Sequence, residues 1–477
     1  MNILYVTSEA NPFAASGGLG DVMGAFPPAL ADIDEYKCSV LMPLYDTVKD
    51  EYRHSMVHVA DLSFNLSWRK SGASLYKITR SKTNYYFIEN HYYFDRGRLY
   101  GEDDDIERFA FLSRAAVEIL SKGYIDADIV HCNDWQTAAC VVYLKTEFSM
   151  EERLRDLKTV FTIHNIEYQG KFDPYLIGDI FGIDEKYRSI LEFNGCANLM
   201  KGAIVCSDFV TTVSPNYRNE LEYDFFAFGL ENIIRAARDK TEGVINGIDY
   251  SYFSPKVGKE LCKNYDVNSY KQGKSANKKE LCSDLGLSTD PELPLIVMIT
   301  RLTSGKGVDL VLGVIREIMQ LPLQMVILGT GDEHYEIAFK ESEKYYPNLR
   351  ALIKFDRELS KRMYASADIF LMPSKSEPCG LAQMIACSYG ALPIVRSVGG
   401  LKDSIIPYGE AGANGFRFDN FNAHEMLREI EKAVSLYKNS EQWATLVKSA
   451  MTSDFTWARS AQKYASIYKK LNDRIPD

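Results

Sequence analysis

A chain of 477 residues, 46% apolar and 25% charged, is long enough for two or three domains with ample core. Its 65 acidic against 55 basic side chains leave a net charge of −10, which disfavours bulk nucleic-acid binding, because neutralising phosphates takes clustered Lys and Arg. Nine cysteines, an odd number with no C-x-x-C, read as reduced thiols rather than a disulfide framework or zinc site. The opening "MNILYVTSEANPF" meets Glu9 too early for a secretory leader, and the longest apolar runs, such as "LPLIVMIT", are strand-sized. The expectation is a cytoplasmic chain with no membrane partner.

In chain order, short apolar runs alternate with mixed segments. The first half has "NILYVT" (2–7), "CSVLMP" (38–43), "NYYFIEN" (84–90), "ADIVHCN" (127–133), "TVFTIHN" (159–165) and "DFVTTVS" (208–214). The second half has "LPLIVMIT" (293–300), "LQMVILG" (323–329), "ALIKF" (351–355), "DIFLMPS" (368–374) and "LPIVRS" (392–397). Near-continuous apolar strands between helical stretches predict parallel sheets covered by helices on both faces. "GVDLVLGVIREIM" and "AHEMLREIEKAVSLY" have the apolar spacing of amphipathic helices. The turn-rich segment 242–268 reads as a connection, with a hinge near 243–260. The predicted class is α/β, with two doubly wound Rossmann-like domains facing across a deep cleft: 1–243, then 244–454, then a final helix over 455–477 packing back on the first domain.

Two stretches carry candidate chemistry. In "ASGGLGDVMGAF" (15–26), Gly18, Gly20 and Gly24 spell G-x-G-x-x-x-G, but they arrive about ten residues after the first strand. That is too late for a nicotinamide loop, whose first glycine ends the strand. Glycines there let backbone N–H groups approach an anionic ligand, and Asp21 also suits the start of a helix, so a turn and a site both stay open.

In the second half, "TRLTSGKGVDLVL" puts Arg301 and Lys306 on a strand-to-helix loop, a fork and a point charge suited to a diphosphate. "LGTGD" offers Gly329 and Thr330 at the next strand end. "DIFLMPSKSEPCGLAQMIACSYG" presents Glu377 ahead of Pro378-Cys379-Gly380-Leu381, read as the opening of a helix aimed at a crevice. A carboxylate there can bind sugar hydroxyls or oppose positive charge developing at an anomeric carbon. His131 and His164 end buried-looking strands, where a satisfied core histidine competes with a functional one. Asp103-Asp104-Asp105 and Asp126-Ala127-Asp128 match D-x-D but do not end strands, so no metal is expected there.

"SGGLGDV", "RLTSGKGVDL" and "PSKSEPCGL", in this order, resemble the bacterial glycogen synthases and plant starch synthases. "HCNDWQTA", "FTIHNIEYQG", "TTVSPNY", "VINGIDYSYFSP" and "DFTWARSAQKY" extend the resemblance along nearly the whole chain. It implies a retaining GT-B glucosyltransferase that moves glucose from ADP-glucose to the non-reducing end of an α-1,4-glucan or glycogen without a metal or other cofactor. By that likeness Arg301 and Lys306 hold the donor diphosphate, and Glu377 contacts the glucosyl ring. Cys379, Gly380 and Leu381 offer backbone N–H groups, with Gly329 and Thr330 beside the donor. His164 lies beside the glucose, and Asn246, Asp134 and Trp135 complete the sugar and acceptor subsites. Gly18, Asp21 and Glu9 line the wall of the first domain. Tyr93, in the aromatic "HYYFDRGRLYG", is placed on the acceptor path.

One departure stands out. Where the family usually has K-[ST]-G-G-L this chain has Ala15, and residues 8–30 contain no Lys or Arg. A slower synthase, altered donor or primer preference, and an impaired glucan-binding homologue all remain open, as does a UDP-glucose-dependent transferase of the same fold. Glu377 is followed eight positions later by Ile385 rather than an acid, which favours the glycogen/starch synthase branch. Oligomeric state is left open.

Overall fold

The computed structural model describes residues 1–473. It divides into two units: Met1–Gly247 together with the chain from Trp457, and Ile248–Thr456.

In the first unit the strands are β1 (Asn2–Val6), β2 (Lys37–Pro43), β3 (Val57–Leu66), β4 (Arg69–Arg80), β5 (Thr83–Glu89), β6 (Ile129–Asn133) and β7 (Lys158–Ile163). They continue with β8 (Lys171–Phe172), β9 (Glu192–Phe193), β10 (Cys196–Asn198), β11 (Phe209–Thr212) and β12 (Thr241–Gly243). The main sheet runs β12-β11-β7-β6-β1-β2-β5-β4-β3, parallel from β12 to β5. Strands buried on both faces read as unbroken apolar runs, and every residue of β6 is buried. The chain starts in the middle of the sheet, builds outward through β2 and β5, then returns to the far side of β1 with β6. Ligands in such sheets bind where the strand order reverses, outside the carboxyl ends of the strands. Here that point lies at β1 and β6.

The edge is different. β3 and β4 pair antiparallel with each other, and β4 pairs antiparallel with β5. In β3, Ala60, Leu62, Phe64 and Leu66 point inward and alternate with exposed Asp61, Ser63 and Asn65, the pattern of a sheet wet on one face. A small sheet β8-β10-β9 stands apart, its hairpin closed by Asn194-Gly195 with φ of +51° and +79°, a two-residue turn that favours this pair.

The helix Trp457–Asn472 belongs to this unit. Phe26 packs on Tyr464 and Trp457 at 4.5 and 5.4 Å between ring centroids. Tyr468 reaches Tyr5 (3.2 Å between hydroxyls) and His131 Nδ1 (2.6 Å). His131 is thus a core residue, its imidazole driven down to about 3 by burial.

The second unit has one parallel sheet of β13 (Leu295–Ile299), β14 (Gln324–Leu328), β15 (Leu349–Leu352), β16 (Ile369–Met372), β17 (Leu392–Arg396) and β18 (Phe416–Phe418). Its order β15-β14-β13-β16-β17-β18 is the doubly wound arrangement, with the reversal at β13 and β16. Three local expectations change. The third strand lies at Leu349–Leu352, ahead of most of "ALIKF". "GVDLVLGVIREIM" forms two helices, Val308–Gly313 and Ile315–Gln320, broken where Val314 leaves helical geometry at φ −132°. The helix after Glu377 begins at Ala382, not Pro378, because Gly380 takes φ +70° and cannot continue helical turns.

Candidate active site

In the first unit the candidates follow three adjacent strands. Glu9 comes after β1, Asp134 after β6 and His164 after β7. Asp134 sits ahead of the helix Trp135–Lys145 at φ +56°, uncommon for a residue with a side chain. Its Oδ1 accepts the backbone N–H of His164 at 2.7 Å and of Asn165 at 3.3 Å, so it holds the turn after β7. Burial nonetheless raises the Asp134 carboxyl to about 7. His164 Nε2 lies 3.0 Å from Asn133 Oδ1, and burial lowers its imidazole to about 3. A neutral ring leaves the backbone carbonyl as the group of His164 able to oppose positive charge. Asn246, buried, lines a narrow crevice together with His164 and Trp457.

Glu9 is buried, and desolvation raises its carboxyl although Ser16 N–H donates to it. Ala15 lies close by: a Cβ built on Gly20 would meet Ala15 Cβ at 2.3 Å and Glu9 Oε2 at 3.6 Å. The helix Gly18–Ala31 begins at the glycine loop, with Asp21 in its first turn accepting from Asn11 Nδ2. Trp135 packs edge-on against Phe109 at 5.3 Å, and a Cβ on Gly170 would meet its ring at 2.6 Å. Tyr93 stands outside this group. It is buried, its hydroxyl donates to Glu107 at 2.6 Å, and the exposed ring of that stretch is Tyr92. Asp104 pairs with Arg96, Asp105 with Arg108 and Asp126 with Arg153, and Asp128 accepts the Asn2 N–H, while Asp103 is exposed.

In the second unit the loop after β13 and the turn after β16 meet. Lys306 Nζ donates to Glu377 Oε2 at 2.7 Å, and Ser374 Oγ donates to the same oxygen at 2.9 Å. Lys375 N–H donates to Gly305 O at 2.9 Å, tying the two loops through backbone. Gly307, at φ +71°, lets the loop pass Pro373: a Cβ there would lie 2.1 Å from its carbonyl oxygen. Arg301 is exposed and forms no ion pair among the described residues. Leu302 N–H donates to Thr330 O at 2.9 Å, which brings Gly329 and Thr330 beside Arg301. Cys379 is a buried thiol, and Pro378 to Leu381 form a loop ahead of the short helix.

Three further residues escape the sequence reading. Ser374 stands three positions before Glu377 in the quoted motif. Asn133 orients His164 from the strand end. Gln383, fully buried, donates Nε2 to Cys379 O (3.1 Å), Gly380 O (2.9 Å) and Ser404 Oγ (3.0 Å), clamping the loop from behind.

The family model "Starch synthase catalytic domain" matches residues 2–236, and "Glycosyl transferases group 1" matches 286–449. A glycogen synthase of Clostridium botulinum (strain Alaska E43 / Type E3) is 43% identical over 482 residues, covering 99% of this chain and 100% of that one. The chain belongs to the glycogen and starch synthase family. A second glycogen synthase in it, from Geobacillus stearothermophilus, is 41% identical over 476 residues, with 99% and 98% covered. The catalytic domain of starch synthase IV from Arabidopsis thaliana, solved with ADP and acarbose, superposes with a TM-score of 0.91 at 32% identity, covering 99% of each chain. As a glycogen/starch synthase the chain is a glycosyltransferase of the GT-B fold. Among the described residues, no helix is long and apolar enough to cross a membrane.

Proposed function

We propose that the chain transfers glucose from ADP-glucose to the non-reducing end of an α-1,4-glucan with retention of configuration. The observation that carries this reading is the Lys306–Glu377 pair at the strand-order reversal of the second unit, with Arg301 on the same loop. Arg301 and Lys306 take the donor diphosphate, and Cys379, Gly380 and Leu381 present backbone N–H groups beside it. Gly329 and Thr330 flank the donor. Glu377 holds the glucosyl ring. His164 turns its carbonyl toward the anomeric carbon, Asn246 contacts the sugar, and Asp134 fixes the turn that carries His164. Gly18, Asp21 and Glu9 form the first unit's share, with Trp135 on the acceptor side.

In this step the bond from the anomeric carbon to the β-phosphate oxygen breaks as the acceptor hydroxyl oxygen bonds to that carbon on the same face. The hydroxyl proton passes to the departing phosphate oxygen. Two cations and one glutamate suit leaving-group activation, whereas glycosidases flank the bond with two carboxylates. The chemistry needs no metal, since Arg301 and Lys306 supply the positive charge.

The test is glycogen extension with ADP-glucose and UDP-glucose in parallel, with the product anomer read by NMR. Extension from ADP-glucose with α-1,4 product is expected. An inverted anomer overturns the mechanism, preference for UDP-glucose overturns the donor, and glycogen binding without extension by either donor returns the impaired reading that Ala15 raises.

A further inference from the structure

Arg108, near the start of the helix Asp105–Ser121, is fully buried in the first unit. Its Nε donates to Tyr93 O at 2.7 Å and its Nη1 to Leu99 O at 3.2 Å, while Asp105 completes an ion pair. Nη2, also buried, has no hydrogen-bond partner among the described residues. An arginine keeps its charge inside a protein, so burying it with one nitrogen unmatched is costly, and an apolar side chain fills a core at less cost. An apolar side chain cannot grip two carbonyls of one loop. That loop ends in Tyr100, whose hydroxyl meets Ser8 Oγ at 2.7 Å. Tyr45 donates to Ser8 O at 2.8 Å, so the residue ahead of Glu9 is held by both its side chain and its carbonyl. Burial drives the Tyr45 hydroxyl up, with the Arg108 guanidinium opposing and the Glu9 carboxylate adding to the rise, so Arg108 and Glu9 act on the same tyrosine. The Tyr100 ring lies 5.9 Å from Phe109, the residue after Arg108, and Phe109 in turn meets Trp135.

We propose that Arg108 is a positioning residue for glucosyl transfer: its guanidinium sets the loop 93–100 and, through Tyr100 and Ser8, the turn that carries Glu9. The proposal rests on the reading that Glu9 forms part of the active site. The other arginine pair of this loop, Arg98 with Glu102, lies at the surface, where an ion pair contributes little. Placement of the loop therefore falls to Arg108. A lysine there keeps a charge for Asp105, but its compact ammonium on a flexible stem does not reproduce the fork that holds Tyr93 O and Leu99 O together. The stake is geometric, since a shift of about 1 Å at a reacting site can cost about a hundredfold in rate.

The test uses Arg108→Lys, Tyr100→Phe and the double variant. Amide hydrogen exchange is read over residues 8–17 and 93–101, and kcat/KM for glycogen is normalised to folded protein. Arg108→Lys is expected to speed exchange about threefold to tenfold in both segments, and Tyr100→Phe in residues 8–17 alone, the scale of one hydrogen bond lost. In Arg108→Lys kcat/KM is expected to fall about tenfold, and the double variant to be no slower, because both changes break the same link. Exchange in Arg108→Lys that rises only over 93–101 overturns the proposal. So do losses in kcat/KM that multiply in the double variant, or a lower Tm with kcat/KM unchanged, which leaves Arg108 a structural residue. Should Arg108→Lys fail to fold, Asp105→Asn, which weakens the ion pair from its less buried side, takes its place in the same cycle. Glu9→Gln, assayed alongside, separates the underlying reading. Activity untouched by it takes Glu9 out of the site, whereas a loss with it and multiplying losses in the cycle refute the role of Arg108 alone.

Discussion

Lys306 and Glu377, 71 positions apart in the chain, meet at 2.7 Å on a carboxylate oxygen that also accepts from Ser374. The pair joins the loop after β13 to the turn after β16. Losing Lys306 removes both a positive charge and a partner that fixes the glutamate.

Lys306→Ala is therefore expected to lower kcat by about a hundredfold to a thousandfold, the range for losing one preorganised donor at developing negative charge. Ser374→Ala keeps the ion pair and should cost far less, about tenfold or under. Steady-state kinetics on both variants check the order. Equal losses would mean that the ion pair is not what sets the glutamate.

Asp134 gives a pH signature. Its carboxyl, raised to about 7 by burial, binds its proton more tightly folded than unfolded. Its contribution is present at low pH and fades as pH rises from about 4 toward 7, because the folded state holds the extra proton. Asp134→Asn, which can still accept the His164 N–H, should remove that loss. Thermal unfolding of both proteins across pH 4–8 tests this, and parallel curves would refute it.

His131 works in the opposite sense. Its imidazole is held down to about 3, so the unfolded chain takes up a proton that the folded one refuses. Stability from this residue is complete above about 6.5 and is lost as pH falls toward 3. His131→Gln should flatten the acid limb of the Tm profile, whatever it does to Tm at neutral pH.

Much of this arrangement is legible in the sequence for a physical reason. β1, β6, β13 and β16 are buried on both faces, so their apolar runs are continuous, and Glu9, Asp134, Arg301 and Glu377 can be placed just past strand ends before any coordinates. The β3–β4 edge is not legible that way, although β5 is, as "NYYFIEN". Its strands alternate with charged residues, and the turn between β4 and β5 is Ser81-Lys82, both at positive φ without a glycine or asparagine to signal it. Asn194-Gly195 did carry such a signal, between strands too short to show a pattern. Asp134 reads as a sugar ligand by likeness, and only the bond to the His164 N–H reveals what it holds. Tyr93 and Tyr92 are indistinguishable until burial separates them.

Ala15→Lys probes the missing cation. A lysine rooted beside Gly20 would bring its ammonium toward the buried Glu9 carboxylate. The expected result is a gain in kcat/KM of about tenfold, the scale of one charge-assisted hydrogen bond. No gain, with the fold intact by circular dichroism, would mean that this chain works without that charge.

Gln383→Leu should strand two carbonyls, Cys379 O and Gly380 O, and loosen the loop ahead of the short helix. A stability loss of about 1–3 kcal/mol follows from unmet buried acceptors. The donor KM should rise while the glycogen KM stays. A change in Tm alone would leave Gln383 a purely structural clamp.

Tyr5 finds its partner Tyr468 on the far side of an entire inserted unit. On the ribosome, the first strand leaves the tunnel long before the helix that covers it has been made. The inserted unit is the first portion of the chain to have all its sequence in hand. Until Trp457, Tyr464 and Tyr468 emerge, Phe26 and His131 lack their cover, so the nascent chain carries an open apolar face for most of its synthesis, the situation chaperones attend.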